Sequence, residues 1–386
     1  RFKVEIMITP SRPNPFFIKK KMCLYSNSFL PLNYMEFFSM GRYALLLALK
    51  RSGLIAGDKV IFPAYYCESA LEPLRSYGLQ LEYVDIDKDL NWHVNDYLIS
   101  LLSRDNVKAL IVTYYFGYRI YLPTELLDAC RKYNVVIIKD FTHSFLSFQQ
   151  SDWIDDPVFS ACIFSIRKTL PVSDGGALLM NKAFSSKCAY TCNSKNLLFD
   201  IPFLLKRYVE SIVLIIGWPN LYSNYVTRLK MAVLKKISCY FNKQTPSVDF
   251  PNKPVLPSYL LSSQLCNEKY LRNVAKKRSE NYEKLCKVLK EVGYSVLLSQ
   301  IPKGSVPQVL PVLVQSKHLV DYLRENGIGA FQWPGNEMPF EVQREMNMYP
   351  NATQLNNTVI CLPIHQDIGD EDINYMLNII KKYECK

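Results

Sequence analysis

From Phe37 to Met180 the chain alternates strand-length apolar runs with helical periods, and two of those runs end in ionisable residues of opposite charge. Residues 42–51 (RYALLLALKR) read as a helix that is apolar on most faces and therefore buried. Gly57-Asp58 turns into the strand Lys59-Val60-Ile61-Phe62, which Pro63 stops. A helix over 67–77, ended by Gly78, precedes the strand Leu81-Glu82-Tyr83-Val84-Asp85. A helix over 95–103 leads to the buried strand Ala109–Tyr114, and an amphipathic helix from Thr124 to Tyr133 leads to Val135–Ile138. Strands separated in this way pair in parallel and are covered by helices. In such sheets ligands collect beyond the carboxyl ends of the strands.

The run at 135–138 ends in Lys139-Asp140-Phe141-Thr142-His143. The run Val158–Phe164 ends in Ser165-Ile166-Arg167-Lys168, and Ser173-Asp174-Gly175-Gly176 then opens another apolar run, Ala177-Leu178-Leu179. The chain has only 14 glycines in 386 residues, so a glycine pair at a strand start is informative. Parallel pairing predicts that Asp140 and Lys168, 28 positions apart, meet at one edge of the sheet. A covalent anchor and an anion for the ring nitrogen are what pyridoxal phosphate requires. The competing readings are a solvated lysine after a strand, and an aspartate that caps a helix.

Composition narrows the rest. With 46 basic and 35 acidic residues the formal charge is +11, but the basic residues are scattered rather than gathered on one element. This argues against nucleic acid and leaves an anionic substrate or attraction to a membrane surface. Eleven cysteines without paired or metal-ligand spacing suit reduced thiols in a cytoplasmic enzyme with no metal. The apolar stretch Ile212–Ile216 is too short to insert in a membrane, and the start at Arg1 lacks the apolar core of a signal peptide. A length of 386 residues favours two domains. The expected division is an N-terminal arm over 1–36, a large α/β domain over 37–250, and 251–386. That last part would hold one long helix from Ser262 to Val292 and a smaller α+β domain, with strands at 307–314 and 358–362 and helices at 316–326 and 370–383.

Several segments carry a family resemblance. They are Gly41-Arg42-Tyr43-Ala44-Leu45, Gly57–Ala64, Tyr83–Asp87, Tyr115-Phe116-Gly117, Asp140 with His143, and Ser165 through Gly176. Gly327-Ile328-Gly329 and Val359–His365 extend the match toward the end of the chain. Together they resemble the DegT/DnrJ/EryC1/StrS family of pyridoxal-phosphate sugar aminotransferases, a branch of the fold-type-I transferases. The resemblance implies a mostly parallel, seven-stranded type of sheet covered by helices, with a smaller C-terminal α+β domain. It also implies a homodimer with shared active sites, whose substrates are an amino donor such as glutamate and a nucleotide-linked keto-sugar. Such chemistry serves surface-polysaccharide or secondary-metabolite biosynthesis.

Carried over by position, the resemblance makes Lys168 the covalent anchor and proton carrier, and Asp140 the partner of the ring nitrogen. His143 lies near the ring oxygen or is a core histidine. Ser165 and the helix start at Gly41, Arg42 and Tyr43 hold the phosphate. Either Tyr66 or Cys67 stacks on the ring, and Arg167, Trp333 and His365 are candidates to face the substrate. Three features depart from the family: Lys139 stands where an acidic residue is usual, only two residues separate Ser165 from Lys168, and Pro257–Ser262 replaces an Asn-Tyr-Arg-Met segment. They keep two alternatives open: a lyase, dehydratase or amino-acid-acting transferase on the same fold, and a degenerate non-catalytic member.

Overall fold

The computed structural model describes residues 31–152, 156–181, 197–205, 207–208 and 253–384, together with Pro13. A seven-stranded sheet is built from β1 (Met35–Phe38), β2 (Lys59–Pro63), β3 (Gln80–Val84), β4 (Val107–Thr113), β5 (Val136–Phe141), β6 (Phe159–Ser165) and β7 (Gly176–Met180). Their order is β1-β7-β6-β5-β4-β2-β3. Strands β2 to β6 are parallel, whereas β7 and β1 run antiparallel to their neighbours. The short return from β6 to β7 leaves no room for a crossover helix, so that pair has to be antiparallel.

Helices α1 (Gly41–Arg51), α2 (Glu72–Ser76), α3 (Asp96–Leu102) and α4 (Thr124–Lys132) cover the sheet. Helix α1 buries Ala44, Leu45, Leu46, Ala48 and Leu49 in a cluster that includes Ile138 of β5. Helices α3 and α4 close the opposite face, in a second cluster with Ile137 and Phe141. Because side chains alternate along β5, Asp140 faces with Ile138 and Lys139 with Ile137.

The later part of the chain supplies α5 (Tyr259–Leu265), α6 (Glu268–Glu291), β8 (Ser295–Val296), β9 (Val309–Leu313), α7 (His318–Glu325), α8 (Phe340–Arg344), α9 (Pro350–Thr358), β10 (Val359–Pro363) and α10 (Asp370–Glu384). Strands β10-β9-β8 form a small antiparallel sheet. The apolar cluster on the α1 face continues through α6 into this sheet. The single helix expected from Ser262 to Val292 is instead two. Asn267 breaks it by taking the Tyr270 amide at 2.9 Å as an N-cap, and Ser258 caps α5 through the Leu261 amide at 3.2 Å. Strand β8 was not foreseen, because two residues are too few to show alternation. The run Ile212–Ile216 and most of 195–245 lie outside the described residues. No helix among the described residues is long and apolar enough to cross a membrane.

Gly176 fixes how α1 meets the sheet. A Cβ there would stand 2.2 Å from the Met40 carbonyl carbon and 2.7 Å from the Gly41 nitrogen, which are backbone atoms that cannot swing aside. Gly176→Ala should therefore cost about 1–3 kcal/mol, as for an overpacked core site. Urea unfolding checks this: the midpoint should fall with an unchanged slope.

Candidate active site

Beyond the carboxyl ends of β4, β5 and β6 lies a pocket that opens to solvent. Helix α1 gives it Gly41 and Arg42, the turn after β2 gives Tyr66 and Cys67, and Trp333 reaches in from the small-sheet half. Asp140 and Lys168 line it together, as does Ser165. Strands β5 and β6 are neighbours, with Asp140 paired to Ile163, two residues before β6 ends. Lys168 follows on a single turn, Ile166–Lys168.

Asp140 is 1% exposed. Its Oδ2 accepts the Tyr66 hydroxyl at 2.7 Å, and its Oδ1 accepts the Thr142 amide at 2.8 Å. The carboxylate thus closes a turn and is no helix cap. Burial first, and Asp140 second, push the Tyr66 phenol far up, so it remains a donor. Ser165 is buried at the end of β6. The first amides of α1 open beside it, because a helix start has no intrahelical partners for them.

His143 is buried, stacked on Phe116 with ring centroids 5.9 Å apart and edge-on to Trp333 at 4.5 Å. Its Nδ1 has no hydrogen-bond partner among the described residues. Burial, then the charge of Lys168, hold its pKa well below 6.5, so the imidazole is neutral. The Cys67 thiol donates to Glu337 Oε2 at 3.2 Å and lies 3.1 Å from the Ser69 hydroxyl. Chiefly through burial its pKa is raised, which keeps it a thiol.

Lys139 points away from the pocket. On the opposite face its Nζ donates to the Asp152 carbonyl at 3.0 Å and sits 3.8 Å from the Phe159 ring centre. Burial lowers its pKa. The segment Pro257–Ser262 is likewise occupied with local bonding. Its Ser258 amide donates to Asp174 Oδ2 at 3.1 Å, and its Leu260 amide to Asp200 Oδ2 at 3.1 Å. Three expectations need correction. His143 does not line the pocket itself but is buried beside it, against Phe116 and Trp333. Tyr43 does not line the pocket; its ring packs on the core and its amide bonds the Met40 carbonyl at 3.2 Å. His365 is buried away from it, accepting the Asp367 amide at 3.4 Å on Nδ1. Arg167 and Trp333 do line it, and so do Thr113, Thr142 and Ser69, which sequence reasoning missed. Thr113 was within reach of the strand-end rule, since it closes β4 opposite Asp140.

The family model of the DegT/DnrJ/EryC1/StrS aminotransferases matches residues 33–194 and 260–381. The chain belongs to this family. Like the family, it is a pyridoxal-phosphate-dependent aminotransferase. Among curated proteins, the dTDP-4-amino-4,6-dideoxy-D-glucose transaminase of Shigella dysenteriae is 21% identical, over 95% of this chain and 89% of that one. The GDP-perosamine synthase of Escherichia coli O157:H7 is 24% identical over 43% of this chain and 46% of its own length. Among solved structures, the PLP-form of the putative sugar aminotransferase Spr1654 from Streptococcus pneumoniae aligns with a TM-score of 0.61 at 15% identity, covering 90% of this chain and 86% of that one. Its PMP-form aligns with a TM-score of 0.59.

The residues present fit the family's cofactor. A buried carboxylate, an amine on the neighbouring strand end and a helix start beside a serine line one pocket, and the unsatisfied His143 imidazole nitrogen is buried next to Trp333, which lines it too. The depressed pKa of His143 has a consequence for stability. Below about pH 6.5 the unfolded chain binds this proton before the native one does. Its contribution is therefore complete above that pH and declines on acidification by up to about 1.4 kcal/mol per pH unit. In urea unfolding between pH 5 and 7, His143→Gln should flatten that part of the slope.

Proposed function

We propose that this enzyme moves an amino group between glutamate and the carbonyl carbon of a nucleotide-linked keto-sugar. The observation that carries the reading is the meeting of Asp140 and Lys168 in one pocket, with Ser165 and the α1 start beside them. The likeness to the Shigella dysenteriae transaminase along 95% of the chain supports the substrate class. When bound, the cofactor supplies an electron sink for breaking and making the carbon–nitrogen bond.

The chain's own residues do the rest. Lys168 Nζ anchors the cofactor between turnovers and, once released, carries the proton at the substrate carbon. The Asp140 carboxylate takes the ring N–H, and the Tyr66 hydroxyl holds that carboxylate in place. Neutral His143 offers a nitrogen for the ring oxygen. Ser165, the Gly41 and Arg42 amides and the Arg42 guanidinium hold the phosphate, where the helix end favours negative charge. Tyr66 and Cys67 flank the ring, and Arg167 and Trp333 face the substrate. A large domain over 37–250, a smaller one over 251–386, and a homodimer in the cytoplasm complete the proposal; family membership alone supports the last two. No observation favours a lyase or a non-catalytic member, since Lys139 and the 257–262 segment both have structural roles.

The test begins with borohydride reduction of the protein reconstituted with pyridoxal phosphate, followed by mass mapping. The reduced adduct should sit on Lys168. Given 2-oxoglutarate and dTDP-4-amino-4,6-dideoxy-D-glucose, the enzyme should form glutamate, and Lys168→Ala should lower that rate about 10⁴-fold or more. A cofactor-loaded protein whose visible spectrum answers to no amino donor would defeat the reading.

A further inference from the structure

Arg278 lies on α6 with 1% of its surface exposed, and its guanidinium addresses three parts of the chain at once. Nη2 donates to the carbonyl of Thr169, the residue after Lys168, at 2.9 Å. Nη1 donates to the Gln308 carbonyl at 2.8 Å, and Nε to Gln366 Oε1 at 3.2 Å. Gln308 extends the contact: its Nε2 donates to the Lys168 carbonyl at 3.4 Å, and its amide to the Phe116 carbonyl at 2.7 Å. About one turn further along α6, Asn281 Nδ2 lies 3.1 Å from the His365 carbonyl and 3.2 Å from that of Ile368. One face of α6 therefore grips the Lys168 turn, the strap at 306–308 and the loop that follows β10.

Burying a guanidinium is costly, and a hydrophobic side chain of similar volume often fills such a site at no loss of stability. Among the described residues, the hydrogen-bond acceptors of Arg278 are uncharged oxygens. Burial lowers its pKa to about 10, against the raising influence of Tyr270 and Asp367, so it remains charged near neutral pH. Space-filling thus does not account for it. A guanidinium alone provides a rigid planar fork that reaches several acceptors at fixed angles.

We propose that Arg278 is a positioning residue, which locks the backbone carrying Lys168 to the strap at 306–308 and to the small-sheet loop, so that the placement of the amine follows that half of the molecule. This rests on Lys168 being the cofactor's anchor. The variants R278K, R278Q and Q308L are made in the full chain and reconstituted with pyridoxal phosphate. The visible circular dichroism of the bound cofactor reports how its ring is held. Single-turnover kinetics with L-glutamate give the limiting rate constant of the first half-reaction (its kcat) and the half-saturating glutamate concentration (its KM).

Both Arg278 variants should lose about 100-fold in kcat, with KM for glutamate changed less than about twofold, as expected for a misplaced reacting group. Their visible dichroism should weaken while the far-ultraviolet spectrum stays that of the parent. Lysine should not rescue, since it keeps the charge but lacks the fork. Q308L retains Arg278 and severs only the contact to the Lys168 carbonyl, so a loss of about tenfold is expected. Folded Arg278 variants with parental dichroism and kcat, or a rescue by lysine, would overturn the proposal. Should neither Arg278 variant fold, Q308L decides, and parental values there overturn it as well. Absence of the borohydride adduct on Lys168 in the parent protein is a separate result, and it removes the reading underneath.

Discussion

The backbone of Met40 and Gly41 passes so close to the start of β7 that residue 176 can have no side chain. Much of the pocket's geometry descends from this contact. Gly41 is confined in turn, its Cβ position lying 3.0 Å from the Phe164 carbonyl oxygen and 3.4 Å from Ser165 Cβ. Helix α1 therefore begins against the end of β6, and its unpaired amides open beside Ser165 and the Lys168 turn. The place for an anion is set by backbone approach, which does not vary with rotamer. A helix end held this rigidly keeps its dipole aimed at one point.

The opposite wall comes from the small-sheet half, and a seam of polar contacts holds it. The Tyr65 hydroxyl donates to the Trp333 carbonyl, and Cys67 to Glu337. Arg75 and the Tyr83 hydroxyl both reach Glu341, at 2.7 and 3.1 Å. Asp85, just after β3, takes the Asn351 and Ala352 amides at 2.8 Å each and so caps α9. Arg75 and Glu341 are partly exposed, and such a pair contributes little by itself. The carboxylate on a helix start is the stronger link, since it satisfies two amides and the dipole together. Trp333 is placed over the pocket by this seam and by its edge contacts with Tyr65, Tyr115 and Phe116.

What the residues disclosed in advance followed from periodicity. The strands and helices from α1 to Met180 were legible because each buried run has its own period, and parallel pairing then brought Asp140 and Lys168 to one edge. Strand β1, which begins inside the expected N-terminal arm, was not foreseen. The break at Asn267 was hidden because the apolar stripe runs across it and only the capping geometry marks it. Lys139 misled for a different reason: a departure from family pattern bears on the chemistry only when it lies on the face that carries the site, and position 139 lies on the other. Arg278 was obscured by its neighbours, since Lys276-Lys277-Arg278 reads as a solvated basic run. Its spacing held a signal nonetheless, because Val274 and Tyr282, four residues to either side, are both buried.

The short Ser165–Lys168 interval and the unusual 257–262 segment belong to one local solution. The Ile166 amide bonds the Gly175 carbonyl at 2.7 Å, so the hairpin from β6 to β7 closes directly after the strand and leaves Lys168 on one tight turn. Such a closure has few residues with which to satisfy its own polar groups. The remaining bonds come from outside it: Ser173 donates to Asp200 at 2.8 Å, and the first turn of α5 donates to Asp174 and Asp200. Helix α5 thus braces the hairpin that carries the amine. Lengthening the turn without altering α5, or altering α5 without lengthening the turn, would remove one donor from each of the buried Asp174 and Asp200 carboxylates, at a cost of about 1–3 kcal/mol for each hydrogen bond lost. Two departures that look independent along the chain are therefore coupled, and each is the physical condition for the other.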